Sequence, residues 1–126
     1  MDTQGGAIVN KVNIKPLSVN EAWQGRRFKT PKYKKYEQDL LLILPKAVDI
    51  PVGPLVVHYE FGVSNSASDW DNGVKPFQDV LQKRYGFDDR RIYRAIVDKV
   101  KVKKGQEYVK FRLEAFHDEN SVTEVA

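Results

Sequence analysis

The sequence predicts a single small α+β domain in which one mixed β-sheet is accompanied by two helices, in the order β-α-β-α-β-β. Three observations support this prediction. The chain has 126 residues, which is the size of one ordinary domain. Hydrophobic residues make up 41% and charged residues 30%, a balance typical of globular proteins. Segments with the two-residue period of strands alternate with segments that have the period of helices.

The first half of the chain predicts one strand and one helix. Residues 7–14 alternate apolar and polar side chains and therefore predict a strand. Residues 15–29 are polar and contain turn-forming residues, which indicates a loop. The Thr-Pro pair at 30–31 is typical of a helix start, and apolar residues at helical spacing continue to Leu44.

The middle of the chain predicts a strand followed by a second helix. Residues 55–63 alternate along their length, with one strongly apolar side, and predict a half-buried strand. The second helix is expected to begin near Asp71 or Asn72, since either side chain is suited to the N-cap position. It is expected to end around residues 85–86, where a glycine follows the last apolar position.

The C-terminal part predicts two strands and a tail. Residues 92–103 and 109–115 have the alternation of strands and are expected to form a hairpin about a turn at 104–105. Residues 117–126 contain three acidic residues and no basic one, and we expect a flexible acidic tail there. The folded domain is accordingly expected to span residues 1–116.

Composition and charge narrow the classes of function. The chain has 21 Lys and Arg against 17 Asp and Glu, a net charge of +4, and a basic domain suggests an anionic partner such as nucleic acid. The absence of cysteine excludes disulfides, a thiolate nucleophile and a cysteine-ligated metal. Because there are only two histidines, a metal site would have to use carboxylates, which suit Mg²⁺, Mn²⁺ or Ca²⁺.

The same reasoning bears on location. No apolar run approaches the roughly 20 residues of a membrane span, so no membrane association is expected. The N-terminal residues lack the basic and apolar pattern of a signal peptide, and we therefore expect a cytoplasmic protein.

The most informative motif is D-W-D-N-G-V-K at residues 69–75. In an extended segment Asp69 and Asp71 point to the same side, and paired carboxylates suit Mg²⁺ or Mn²⁺. Lys75 follows four residues after Asp71, on the same side of a helix that starts there, and a second acidic pair occupies residues 88–89. This inventory suits metal-assisted phosphodiester hydrolysis. An alternative remains open in which the aspartates are loop and cap residues and the lysine is a surface ion-pair partner.

Two basic segments are candidates for binding DNA. Residues 26–35 hold six basic residues and no acidic one, with Phe28 and Tyr33 among them, a combination that suits phosphate contact and base stacking. Three lysines share one side of the strand predicted at 92–103; a solvent-exposed face or a protected sheet edge is the alternative. The residues predicted to bind DNA are Arg26, Arg27, Lys29, Lys99, Lys101 and Lys103.

These motifs together resemble the RusA-type Holliday junction resolvases of bacteria and phages. D-W-D-N, followed by Lys75, Asp79, Leu81 and then G-F-D-D, is similar to that family's D-x-D-N-x-x-K-x-x-x-D-x-L…D-D pattern. The segment P-L-S-V-N, the Gly-Arg basic loop and the tyrosine-bearing helix agree, so that the resemblance covers residues 8–116. One departure is S-N-S-A-S at 64–68, where some members have an arginine run before the first aspartate.

The resemblance implies a Mg²⁺-dependent homodimeric endodeoxyribonuclease, with Mn²⁺ as a substitute, that resolves four-way DNA junctions by paired symmetric nicks. Asp69, Asp71 and Asp89 match the family's metal-binding acidic residues and Lys75 its essential lysine, so these four are the predicted catalytic residues. The resemblance also implies a bacterial, phage or prophage source. Two alternatives remain: a non-catalytic module that binds junctions or single strands, and a nuclease for flaps or ordinary duplexes.

The place of Asp89 depends on the length of the second helix. A helix over residues 73–84 is about 18 Å long, and the five residues that follow it reach at most about 17 Å. Asp89 can therefore return to Asp71 within one subunit only if the helix ends early, near Leu81; otherwise it belongs to the site of a partner subunit. The sequence favours the early end, because the turn at 85–86 can redirect the chain.

Overall fold

The computed structural model describes residues 8–25 and 28–117. Arg26 and Arg27, which the sequence predicts to bind DNA, lie outside the described residues. The predicted acidic tail at 117–126 also lies outside them, apart from its first residue.

The described residues form six strands, three α-helices and one 3₁₀ turn, which confirms the α+β class. The principal elements follow the predicted order β-α-β-α-β-β. In chain order the elements are β1 (Asn10–Val12), α1 (Val19–Ala22), β2 (Trp23–Gln24), β3 (Phe28–Lys29), α2 (Pro31–Ile43), β4 (Leu55–Val63), α3 (Val74–Tyr85), the 3₁₀ turn (Asp89–Arg91), β5 (Ile92–Lys101) and β6 (Tyr108–Ala115).

Most long elements match their predictions closely. Helix α2 begins after Thr30, whose hydroxyl accepts a hydrogen bond from the Tyr33 N–H at 3.1 Å, and strand β4 spans the predicted residues 55–63. Strand β1 is shorter than the predicted 7–14. The segment predicted as a loop at 15–29 contains the short helix α1 and part of a two-stranded β2–β3 sheet.

The main sheet is mixed and has the strand order β1-β6-β4-β5. Strand β4 is parallel to β5 and antiparallel to β6, so the predicted hairpin of residues 92–103 with 109–115 is wrong. Residues 102–107 instead cross the end of β4, where the Val102 N–H donates to the Val63 carbonyl at 2.8 Å. Burial explains the arrangement, because β4 is far more apolar than β5 and loses more surface to water as an inner strand.

The hydrophobic core lies between one face of this sheet and helices α2 and α3. Phe77 of α3 is at its centre and is fully buried. Its ring is 5.6 Å from that of Tyr59, 6.2 Å from Phe61 and 5.6 Å from Phe111, mostly in edge-on contacts. These contacts hold α3 along β4. They therefore fix the positions of the two segments that contain the acidic residues, one before α3 and one after it.

The N-terminus of α3 differs from the prediction. Its N-cap is Gly73, which has no side chain to cap the helix, so the prediction of Asp71 or Asn72 as the cap is wrong. A Cβ at Gly73 would approach the ring of Phe61 to 3.0 Å, so a larger residue would require this buried ring to shift. The Asn72 carbonyl instead accepts a hydrogen bond from the Val19 N–H at 2.8 Å, which ties the turn to α1.

The C-terminus of α3 excludes the early end that the sequence favoured. The helix does not stop near Leu81; it ends at Tyr85, as its apolar pattern predicted, and is followed by Gly86, which has a left-handed backbone at φ 73°. The last turn is stabilised by the Tyr85 hydroxyl, which donates to the Pro45 carbonyl at 2.7 Å. Helix α3 therefore has 12 residues and separates the segments at its two ends by about 18 Å.

Candidate active site

The segment at 69–75 joins β4 to α3 through a compact turn. The Asn72 N–H donates to the Asp69 carbonyl at 3.2 Å, and the Val74 N–H donates to the Asp71 carbonyl at 3.1 Å. Both aspartate side chains are exposed, and among the described residues neither carboxylate has a hydrogen-bonding or ion-pair partner. The turn thus presents two unpaired carboxylates, two residues apart, at the start of a helix.

A cavity of about 350 Å³ opens beside Asp69. It lies between the segment that leads into α1, the end of β4 and the loop before α3. Asp71, Lys75 and Asp89 do not line it. The lining residues that matter for its chemistry are Lys15, Ser18, Asp69, Trp70, Lys99 and Glu107.

Lys99 fixes the loop that precedes the first aspartate. Its ammonium donates to the carbonyl oxygens of Ser66 at 3.0 Å and Ser68 at 2.6 Å, and so joins this loop to strand β5. Of the three lysines predicted to bind DNA from this strand, Lys99 therefore lies at the cavity wall, whereas Lys101 and Lys103 are exposed beyond it.

Lys75 projects from the first turn of α3, and its side chain is 55% exposed. Its ammonium lies 2.9 Å from the Asp79 carboxylate, one helical turn later. The Tyr33 hydroxyl of α2 donates to the other oxygen of Asp79 at 3.5 Å, and burial together with this negative charge raises the pKa of Tyr33. Asp79 of α3 thus contacts both Tyr33 of α2 and Lys75, and its carboxylate orients the lysine.

The second acidic pair lies in the 3₁₀ turn that follows α3. Asp88 caps this turn by accepting a hydrogen bond from the Arg90 N–H at 2.9 Å, and it also pairs with the Arg90 guanidinium at 3.0 Å. These bonds, the backbone one first, hold the pKa of Asp88 below its usual range. Asp88 is thus committed to the turn, whereas Asp89 is exposed beside it.

The described chain does not bring Asp89 to the other two predicted metal ligands. The loop of Asp69 is bonded to Lys99, and β5 runs roughly 23 Å from Ile92 to that lysine. Asp89 precedes Ile92 and so lies at the opposite end of the sheet. Within the described residues no group of three or more His, Cys, Asp or Glu is placed to hold a metal ion. The carboxylate oxygens suit Mg²⁺ chemically, but one subunit alone does not assemble the predicted set.

The remaining predicted basic residue is engaged in an ion-pair cluster. Lys29 lies 3.3 Å from the Glu37 carboxylate, and Lys83 lies 3.1 Å from the same group. Burial acts to raise the pKa of Glu37, but the two lysines more than offset this and the net pKa is lowered. This cluster links β3, α2 and α3. The other two basic residues of the predicted set, Arg26 and Arg27, are outside the described ranges.

Sequence reasoning missed the cavity and most of the side chains that line it. Lys15, Trp70 and Glu107 come from three separate parts of the chain, and only the folded structure brings them together. The one available signal was the tryptophan itself, because a large apolar ring between two acidic residues is unsuited to a core position.

Comparison with known proteins places these features in context. The family model of endodeoxyribonuclease RusA matches residues 13–112, which is most of the chain. No curated protein matches the chain. In the part of the chain that the structure describes, no helix is both long and apolar enough to cross a membrane.

Proposed function

The chain belongs to the endodeoxyribonuclease RusA family, and from this premise we propose that it is a Mg²⁺-dependent homodimer that resolves four-way DNA junctions by paired symmetric nicks. The observation that supports this proposal most is the pair of exposed carboxylates of Asp69 and Asp71, which have no hydrogen-bonding or ion-pair partner in the described part of the chain. They lie in the turn just before α3, and Lys75 is in the first turn of that helix. Carboxylate pairs of this kind suit a divalent cation that acts on a phosphodiester.

The separation of the acidic residues leads us to propose sites shared between subunits. Asp69 and Asp71 of one subunit, together with Asp89 of the partner subunit, would hold Mg²⁺. When bound there, the cation would supply Lewis-acid activation of water and of the phosphoryl oxygen. The full length of α3 supports this arrangement, since a site within one subunit required the helix to end early.

A homodimer also suits the substrate. A four-way junction presents two equivalent strands, and a two-fold dimer presents two equivalent sites. If the sites are shared, each site forms only in the dimer. An isolated subunit would then lack a complete set of acidic residues and would not nick DNA.

Two lysines have distinct tasks in this proposal. The ammonium of Lys75, oriented by Asp79, would offset the negative charge that develops on the phosphate and the leaving oxygen. Lys99 would act as a positioning residue, because its bonds to Ser66 and Ser68 fix the loop that presents Asp69.

Replacing Lys75 with Ala is expected to slow nicking by about a hundredfold, which is typical for loss of one charge-stabilising donor. The free energy of unfolding should change by no more than about 1 kcal/mol, because the lysine of the ion pair is 55% exposed, although the Asp79 side chain is only 26% exposed. Single-turnover nicking and urea unfolding measure the two effects. Lys83→Ala, which removes another exposed lysine of α3, serves as the control and should retain the rate. A large loss of stability in Lys75→Ala would instead assign the lysine a structural role.

DNA binding is expected to weaken steeply with salt, because the predicted contacts join Lys and Arg to phosphates. The triple variant Arg26→Ala, Arg27→Ala, Lys29→Ala should flatten the slope of log K against log salt by up to about 2.7, or 0.9 per lost phosphate contact. The control is Lys46→Ala, which removes an exposed lysine outside this basic segment. An unchanged slope in the triple variant would move the DNA surface to the exposed lysines near the end of β5.

The proposed activity is tested by comparing binding with nicking. The protein should bind a synthetic four-way junction in EDTA without cutting it, and should nick it when Mg²⁺ is added. Binding without nicking in Mg²⁺ or Mn²⁺ would favour the non-catalytic module.

A further inference from the structure

We infer that the cavity beside Asp69 receives one unpaired nucleobase of the branched substrate, and that Trp70 is the surface on which this base stacks. The inference rests on the proposed function, since it assumes that branched DNA is bound at this site. It adds a ligand class for the cavity and a task for a tryptophan to which neither the predicted site nor the proposed chemistry assigns a role.

The exposure of Trp70 is the first observation. Trp70 is 59% exposed. It lies between two exposed charged residues, Asp69 and Asp71. Among the described residues no other aromatic ring contacts it, whereas Trp23 packs edge-on against Tyr33 at 5.4 Å. An exposed indole contributes little to the core, but it offers a rigid surface for stacking, which is sequence-tolerant because every base has a π-face.

The size and lining of the cavity are the second observation. Its volume of about 350 Å³ lies within the range of sites that hold small organic ligands, roughly 300–1,000 Å³. Phe61 and Val63 supply apolar surface, and Asn65, Asn72 and Ser18 supply hydrogen-bonding groups. A nucleobase, with apolar faces and a polar edge, matches this combination.

The charge of the lining distinguishes a base from a phosphate. Three carboxylates line the cavity, from Glu21, Asp69 and Glu107, and two ammonium groups, from Lys15 and Lys99; the Glu21 carboxylate is paired with Lys32 at 2.8 Å. The ammonium of Lys99 is already bonded to two backbone carbonyls. With no cation bound, this lining offers a phosphate no excess of positive charge, whereas the amino and imino groups of a neutral base can donate to the carboxylates.

An unpaired base in this cavity would favour branched DNA over linear duplex. In a linear duplex the base must first be unpaired and unstacked, which costs a few kcal/mol. That cost is lower where strands exchange at a branch point, because pairing and stacking are already weakened there. Trp70 would therefore contribute to the choice of substrate, and not to the chemical step.

The first test measures binding in EDTA by the anisotropy of dye-labelled DNA. Trp70→Ala should weaken binding to a four-way junction about tenfold to a hundredfold, as expected for the loss of one stacked base, and should leave binding to a linear duplex unchanged. Trp70→Phe keeps an aromatic surface and should retain most of the affinity. Leu42→Ala removes an 83% exposed apolar side chain from α2 and serves as the control.

The second test uses the fluorescence of the tryptophan itself. The chain has two tryptophans, so Trp23→Phe leaves Trp70 as the only one. Its emission should be quenched when the junction is bound and should remain unchanged when linear duplex is bound to the same saturation. Equal quenching by both DNAs would overturn the inference, as would equal junction affinity of the wild-type and Trp70→Ala proteins. In either case junction nicking would still support the proposed function. A protein that neither binds nor nicks junctions would overturn both.

Discussion

The variant Asp71→Asn is expected to lose junction nicking by about a hundredfold or more, because removal of one of the proposed metal ligands removes several kcal/mol of transition-state stabilisation. Asp69→Asn and Asp89→Asn should behave in the same way. Junction binding should be kept or improved in all three variants, since each loses a negative charge that repels phosphate. The turn at 69–74 should survive, because it is formed by the backbone carbonyls and not by the carboxylates.

These losses are measured by single-turnover nicking in Mg²⁺, with binding followed separately in EDTA. Asp39→Asn is the matched control, since it removes a partly exposed carboxylate of α2 whose one ion-pair partner among the described residues is Lys35. This variant should nick at the wild-type rate. Full activity of Asp71→Asn would contradict the assigned site.

Mixing Asp71→Asn subunits with Asp89→Asn subunits is expected to restore nicking that neither variant shows alone. In a mixed dimer with shared sites, one site lacks both carboxylates and the other contains every acidic residue intact. Random exchange makes half of the dimers mixed, so about a quarter of the wild-type sites should return. Because each mixed dimer has only one intact site, single nicks should predominate over paired ones.

The control for this experiment is a mixture of Asp69→Asn with Asp71→Asn subunits. Both changes fall on the same side of the proposed site, so this mixture should remain inactive. A mixture of Asp71→Asn with Asp89→Asn that also remains inactive would show that each site is built within one subunit.

Periodicity predicted the long elements because their burial follows from local sequence. Strand β4 alternates strongly enough to fix residues 55–63, and Thr30–Pro31 marks the start of α2 without reference to the rest of the fold. The short elements between β1 and α2 depend on tertiary contacts instead. The Thr30 hydroxyl, for example, donates to the Glu21 carbonyl at 2.6 Å, a contact that no local pattern announces.

The wrong hairpin prediction has a similar cause. Two neighbouring strands joined by a Gly-containing turn are expected to pair, but here the more apolar β4 lies between them. The strand order depends on which strand buries most apolar surface in an inner position. The two strands to be compared for this, β4 and β5, begin more than 30 residues apart in sequence. Local turn chemistry does not contain this information.

In the candidate site, too, residues close in sequence could be predicted and residues brought together by the fold could not. Asp69, Asp71 and Lys75 could be identified because the residues that define them are close in sequence. The bonds from Lys99 to the loop at 66–68 join residues more than 30 positions apart, and the place of Asp89 depended on whether α3 ran its full length. The cavity beside Trp70 became visible only in the folded chain.

The most direct test of the central claim maps the nicks that the protein makes in an end-labelled four-way junction, with a linear duplex and a flap of the same sequence as comparisons. In Mg²⁺ we expect two nicks at matching positions on opposite strands of the junction, and little cutting of the other two DNAs. Cutting of the linear duplex or the flap at a comparable rate, or unpaired nicks at unrelated positions, would contradict the account.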